Sequence, residues 1–262
     1  VCDADFLERF LQGTLSTEAC RRIGFREETS RPELIKRTVL EVGGTVLACQ
    51  LALRYGIASN LAGGTHHAHP HGGAGYTIIN DLAVAAYVLT TVSNVERVLV
   101  VDCDVHQGDG TALFGRQDRF YDKLFTLSLH CASIYPHPKQ LSTIDIPLDD
   151  GLEDKDYLDV LSDALEKAIE SVQPGFVLYD AGVDVFKGDV LGRLSLSEAG
   201  IRQRDRYVLN SCVAKGIPVA AVIGGGYDKH LQQLARRHAI AHEECAHVWR
   251  KFKMWDSEYC TQ

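Results

Sequence analysis

Short runs of apolar and β-branched residues alternate along the chain with longer segments in which apolar positions recur at helical spacing. The runs occupy 56–62, 95–103, 124–129, 176–179 and 218–223. Segments 32–55, 81–93, 154–172, 197–215 and 228–252 lie between or after them and read as helices. In 154–172, Leu158, Leu161, Leu165, Ala168 and Ile169 keep the i, i+3, i+4 rhythm of a helix packed through one face. The strands show no alternation of apolar with polar positions, so both of their faces are covered. Regular strand-then-helix order with such strands predicts an α/β fold, a single open domain with a mostly parallel central sheet and helices on both faces. A further helical stretch, DADFLERFLQG, stands near the start, and no repeat, low-complexity tract or linker divides residues 1–262.

Composition narrows the function classes. At 262 residues and 45% hydrophobic content the chain can bury a sizeable core. A formal charge of −8 argues against direct nucleic-acid binding. No apolar run approaches the roughly 20 residues that cross a bilayer, so no membrane partner is expected. The eight cysteines form no CxxC pair or dense framework, which points to a reducing, intracellular compartment: cytoplasm, or nucleus in a eukaryote.

The polar residues that carry chemistry fall just after the strands. His66 and His67 follow the first, in GGTHHAHPHGGAGY; Asp102, Asp104 and His106 follow the second; His130 the third; Asp180 and Asp184 the fourth; Gly224 to Tyr227 the fifth. Ligands of open α/β sheets bind outside the carboxyl ends of the strands, so five loops converge on one site. Glycines around the histidines permit close backbone approach.

Within DCDVHQGDGTA, Asp104 and His106 are two apart and point the same way, as two ligands of one metal must. Asp184, in DAGVD, is the natural third. Two carboxylates and one imidazole leave Zn²⁺ open positions for water and substrate, the arrangement of a catalytic site. Taken alone, DxDxH is an ordinary acidic loop; its company gives it meaning. Asp102 and Asp109 remain to pair with His66 and His67, leaving one imidazole poised as a base and the other to hold charge.

The loops GGTHHAH, DCDVHQGDGTA, LSLH, DAGVDVFKGDVLGRLSLS and IGGGY resemble those of the zinc-dependent histone deacetylases, in the arginase/deacetylase superfamily. GDVLGRLSLS most resembles the class IV branch and its bacterial relatives. The resemblance implies that Asp104, His106 and Asp184 bind zinc, that His67 is the general base of the pair with His66, and that Tyr227 polarises the scissile carbonyl. It implies a structural potassium held by Asp102, Asp104, His106, Ser128 and Leu129, partly through backbone oxygens. It further implies an acyl-lysine tunnel lined by Gly75, Tyr76, Tyr135, Gly225 and Gly226. The family's N-terminal first strand has no match here, and its usual phenylalanine at position 76 is Tyr76.

The expected activity is therefore hydrolysis of acetyl or longer acyl groups from lysine ε-amines in proteins or peptides. Two alternatives stand beside it: a small-molecule deacetylase such as an acetylpolyamine amidohydrolase, and an inactive scaffold that binds acylated partners. A two-manganese ureohydrolase is set aside because it wants a carboxylate where Gly108 stands. His69 and His71 read as loop residues, and HEECAH, 242–247, fails the HExxH spacing and reads as a solvated stripe. Acyl length and oligomeric state are left open.

Overall fold

The structure is a computed structural model describing residues 1–254; Cys260 lies outside the described residues. The strands are β1 (Ile57–Ser59), β2 (Val98–Asp102), β3 (Leu124–Cys131), β4 (Ile144–Leu148), β5 (Phe176–Asp180) and β6 (Val219–Val222). They form one sheet in the order β1-β6-β5-β2-β3-β4, every pair parallel. The α-helices are α1 (Ala4–Leu11), α2 (Thr17–Ile23), α3 (Pro32–Tyr55), α4 (Asp81–Thr91), α5 (Asp109–Gly115), α6 (Asp154–Val172), α7 (Glu198–Ala214) and α8 (Leu231–Lys251).

Alternate strand residues feed two separate cores, which explains the uninterrupted apolar runs. Leu99, Val101, Leu127, Val177 and Tyr179 join Leu161, Leu165, Val208, Ile240 and Val248 of α6, α7 and α8 on one face. Val98, Val100, Phe176, Leu178 and Ala220 join Ala48, Leu82, Ala86, Leu89 and Phe114 of α3, α4 and α5 on the other. Burying each leucine-sized side chain contributes roughly 1.5–3 kcal/mol relative to leaving it exposed. Helix starts follow local chemistry: Asn80 accepts a hydrogen bond from the Ala83 amide at 2.8 Å, Ser197 from that of Gly200 at 3.0 Å, and Pro32 opens α3.

From β2 the chain steps outward through β3 to β4, then returns to β5 on the other side of β2. Asp102 and Asp180 are register partners at this reversal, and a crevice opens beyond their carboxyl ends.

Besides α2, which the sequence reading does not mark, three features differ from it. β4, IDIPL, is a half-exposed edge strand containing Pro147, a residue tolerated there because the outer N–H has no strand to meet. α5 starts at Asp109 inside a glycine-rich loop. The HEECAH segment is a packing face: Glu244 is buried and accepts from Arg202 and Arg206 of α7 at 2.8 and 2.7 Å, while His242 Nδ1 lies 2.8 Å from Ser59 Oγ. Burial of a glutamate is tolerable because two arginines meet it.

Candidate active site

The histidine loop after β1 is pinned by the first residues of α4. Asp81, fully buried, accepts from the amides of Gly64 and Thr65 at 3.2 and 2.8 Å and from the hydroxyls of Thr65 and Thr45, both at 2.6 Å. Asn80 Nδ2 donates to the carbonyls of His66 and Ala68 at 3.3 and 3.1 Å. At Gly64, φ is +81° and an added Cβ would stand 2.5 Å from Gly224 Cα, so this crossing of two loops requires glycine.

Asp104, His106 and Asp184 meet at the β2/β5 reversal with ligand atoms all within 4.8 Å of one another. His106 Nδ1 lies 3.0 Å from Asp104 Oδ1 and 3.1 Å from Asp184 Oδ2. Both carboxylates are anchored from behind: Asp184 Oδ1 accepts from the Val105 amide at 2.8 Å, and Asp104 Oδ2 from the Gly225 amide at 2.6 Å. Burial and the Asp104 charge push Asp184 up to about 7. Burial acts to lower His106, yet the two carboxylates hold it up at about 10. A pocket that draws a proton between two buried carboxylates favours a cation there, and two carboxylate oxygens with one imidazole nitrogen suit a divalent metal such as zinc.

The two expected histidine–carboxylate pairs are present. His66 Nδ1 lies 2.8 Å from Asp102 Oδ2, and His67 Nδ1 lies 2.6 Å from Asp109 Oδ1. Their environments drive them apart. Burial pulls His66 down, but Asp102, Asp104 and Asp180 outweigh it and hold the ring well above its ordinary value. Burial and the neighbouring His66 charge bring His67 down to about 4 against the pull of Asp109. At neutral pH the pair comprises a cation and a neutral base, with ring centroids 4.1 Å apart.

Tyr227 stands across the cluster, its ring edge-on to His106 at 6.4 Å between centroids. Burial and then Asp104, Asp184 and Asp189 push its phenol strongly upward, so it keeps its proton and can donate. Two cavities reach this point, of about 660 and 430 Å³. Gly75, Tyr76 and Tyr227 border both; Gly225 and Gly226 line the larger, Tyr135 the smaller. The Tyr135 ring meets His67 edge-on at 4.9 Å. Asp102 and Ser128 are register partners on β2 and β3, with Leu129 next along β3, and Ser128 Oγ lies 3.0 Å from His130 Nδ1.

The structure adds residues that the sequence reading left aside. His69 Nε2 lies 2.9 Å from the other oxygen of Asp109, so it shares that carboxylate with His67 rather than sitting idle in the loop. Asp189 accepts from the amides of Tyr227, Leu191 and Gly192 at 2.7, 2.9 and 2.9 Å and so fixes the tyrosine loop. Arg204, fully buried in α7, donates to the carbonyls of Cys103, Gly182 and Ala181 at 3.1, 2.6 and 3.2 Å and pairs with Asp205 at 2.8 Å. It ties together the two loops that carry Asp104 and Asp184. Asp180 is fully buried beside His66, and neither of its oxygens has a hydrogen-bond partner. Burial and Asp102 raise it well above the usual carboxylate range. An arginine next to an aspartate in an amphipathic helix reads as surface, which is why RDR gave no signal.

Comparison with known proteins agrees with this geometry. A histone deacetylase domain matches residues 4–242. An uncharacterized protein of Picosynechococcus sp. is 45% identical over 95% of this chain and 81% of its own length. Histone deacetylase 2 of Arabidopsis thaliana is 33% identical over 72% of this chain, which spans 49% of that protein. Histone deacetylase B of Dictyostelium discoideum is 30% identical over 66% of this chain and 42% of its own length. With the domain match running through every loop of the site, the chain belongs to the histone deacetylase family.

Proposed function

We propose that the chain is a metal-dependent amide hydrolase that removes acyl groups from the ε-amine of lysine. The observation that carries this is the joint placement of the Asp104–His106–Asp184 cluster, a neutral His67 and a protonated Tyr227 at the meeting of two cavities. Zinc is the metal that best suits the donor set, and when bound it would supply Lewis-acid polarisation of the amide carbonyl and acidify a water.

The chain's own groups do the rest. His67, with Nδ1–H directed to Asp109, presents Nε2 to accept the proton of the attacking water. His66, held cationic by Asp102, stabilises the negative charge that develops beside it. The Tyr227 hydroxyl donates to the carbonyl oxygen as it becomes an oxyanion. His67 then returns its proton to the leaving lysine nitrogen. Tyr76 and Tyr135 flank the approach as aromatic walls for an aliphatic lysine stem.

The larger cavity is lined in part by Phe25, Val190, Leu191 and Leu231, which favours acyl groups longer than acetyl. Asp102, Ser128 and the Leu129 backbone are the proposed potassium ligands, in keeping with the histone deacetylase resemblance. A small-molecule deacetylase remains the second reading, because the inner site serves either substrate. Acid release from one lysine peptide acylated with chains from acetyl to myristoyl, run beside N-acetylputrescine and N-acetylspermidine, tests both. Hydrolysis of acetylpolyamines alone overturns the first reading; hydrolysis of neither overturns both.

A further inference from the structure

The mouth of the smaller cavity has a charge opposite to that of the chain. The protein is at −8 overall, yet Arg21 and Arg22 line this cavity and no carboxylate does. Both arginines stand in the last turn of α2, a helix capped at one end by Ser16 and closed at the other by Gly24. That helix is fastened to the tunnel loop: the Tyr76 amide donates to the Ile23 carbonyl at 2.7 Å, and Arg22 Nε donates to the Gly73 carbonyl at 3.1 Å. Arg22 thus spends part of its donor capacity on the loop. Arg21 is exposed and has no ion-pair or hydrogen-bond partner among the described residues. It also borders an adjoining surface cleft of about 610 Å³ that carries Arg26, with Glu27 as the single carboxylate on its rim.

We propose that Arg21, supported by Arg22, makes the tunnel mouth select acyl-lysines flanked by acidic side chains and reject cationic substrates. The inference rests on the deacylase reading and sharpens it: the substrate is an acidic peptide segment, not an acylated polyamine. A lysine stem entering between Tyr76 and Tyr135 carries its neighbouring residues over α2, within reach of an unengaged guanidinium on a fixed helix end. A carboxylate there gains a partner. A polyamine's remaining ammonium groups meet like charge from Arg21 and Arg22 along this cavity.

The test uses three lysine peptides of equal length, each made in acetylated and myristoylated form, with glutamate, alanine or lysine on either side of the modified residue, together with N-acetylspermidine. The glutamate peptide should exceed the alanine peptide in kcat/KM by roughly two- to five-fold for each acidic neighbour that reaches an exposed arginine, mainly through KM. The advantage should shrink at high salt. Arg21→Glu should invert the order of the glutamate and lysine peptides, and Arg21→Gln should flatten it. Equal rates for the three peptides, an order unchanged by Arg21→Glu, or N-acetylspermidine outpacing every peptide would each overturn the proposal. Fluorescence anisotropy of the same peptides separates this from the reading beneath it. Glutamate-selective binding without turnover supports the mouth and removes the deacylase reading; turnover without selectivity does the reverse.

Discussion

His67 and Asp109 form the shortest imidazole–carboxylate contact of the site, 2.6 Å between Nδ1 and Oδ1, and the same carboxylate holds His69 by its other oxygen. Asp109 is thereby fixed from two sides and in turn fixes the His67 tautomer. Its position in the first turn of α5 also places the negative charge at a helix N-terminus, where it is stabilised. His67→Ala should lower kcat by about 10²–10⁴-fold, the usual contribution of a positioned base. Asp109→Asn should cost less, because the base remains but its tautomer is no longer imposed. Steady-state acid release from an acetyl-lysine peptide measures both, and a His67→Ala enzyme of normal kcat would remove the residue from the mechanism.

The depressed His67 value has two consequences with pH. In kcat/KM, the acidic limb belongs well below the ordinary histidine value of 6.5, toward about 4. In stability, the unfolded chain takes up this proton below 6.5 while the folded protein waits until about 4. The unfolded state binds more protons in that interval, so this contribution is complete above 6.5 and is lost as pH falls toward 4. Urea midpoints of wild type should therefore fall more steeply over that range than those of His67→Gln. Parallel curves would contradict the assignment.

Asp184→Asn should reduce bound metal sharply, since it removes one of three donors and leaves Asp104 and His106 alone to hold the ion. Elemental analysis of purified wild type should find one zinc per chain. Metal-free wild type accompanied by a fully active Asp184→Asn enzyme would overturn the site.

Tyr227→Phe should keep its metal, because the phenol lies outside the donor cluster. Its kcat should drop roughly 10²–10³-fold with little change in substrate affinity, on the scale of one lost oxyanion donor. Near-normal kcat would mean that a different group holds the oxyanion.

Arg204→Met should destabilise by about 3–5 kcal/mol, because Asp205 would remain buried without its cation. Tyr179 donates to that same carboxylate at 2.5 Å and cannot neutralise it. The double variant Arg204→Met, Asp205→Leu should recover much of the loss, as replacing a whole buried pair costs less than breaking it. Thermal melts of the three proteins decide the point; a single variant as stable as wild type would show that the arginine is dispensable.

A large part of this protein was legible in its sequence. The parallel α/β architecture follows from five apolar runs separated by helical periodicity, because a strand covered on both faces has no polar face to show. The donor set was readable too: Asp104 and His106 are neighbours in the chain, and Asp184 follows the strand that turned out to lie beside theirs. Strand-end placement is a local property, and local properties survive in a linear string. β4 escaped because an edge strand is only partly buried, so its pattern is faint.

What tertiary structure alone decided are the partnerships between distant, chemically ambiguous residues. Arg204 reads as a solvated helix charge until α7 packs on the sheet and sets it against three carbonyls. Glu244 reads as surface until two arginines of another helix enclose it. Asp180 and Asp102 carry the same side chain at equivalent strand ends, yet Asp102 meets His66 at 2.8 Å and neither oxygen of Asp180 has a hydrogen-bond partner. Their difference is set by burial and neighbouring charge, and both are sums over atoms brought close only by folding. The order of residues sets which groups can do chemistry; the packed sheet sets which of them meet, which are held, and which way into the site carries Arg21 and Arg22.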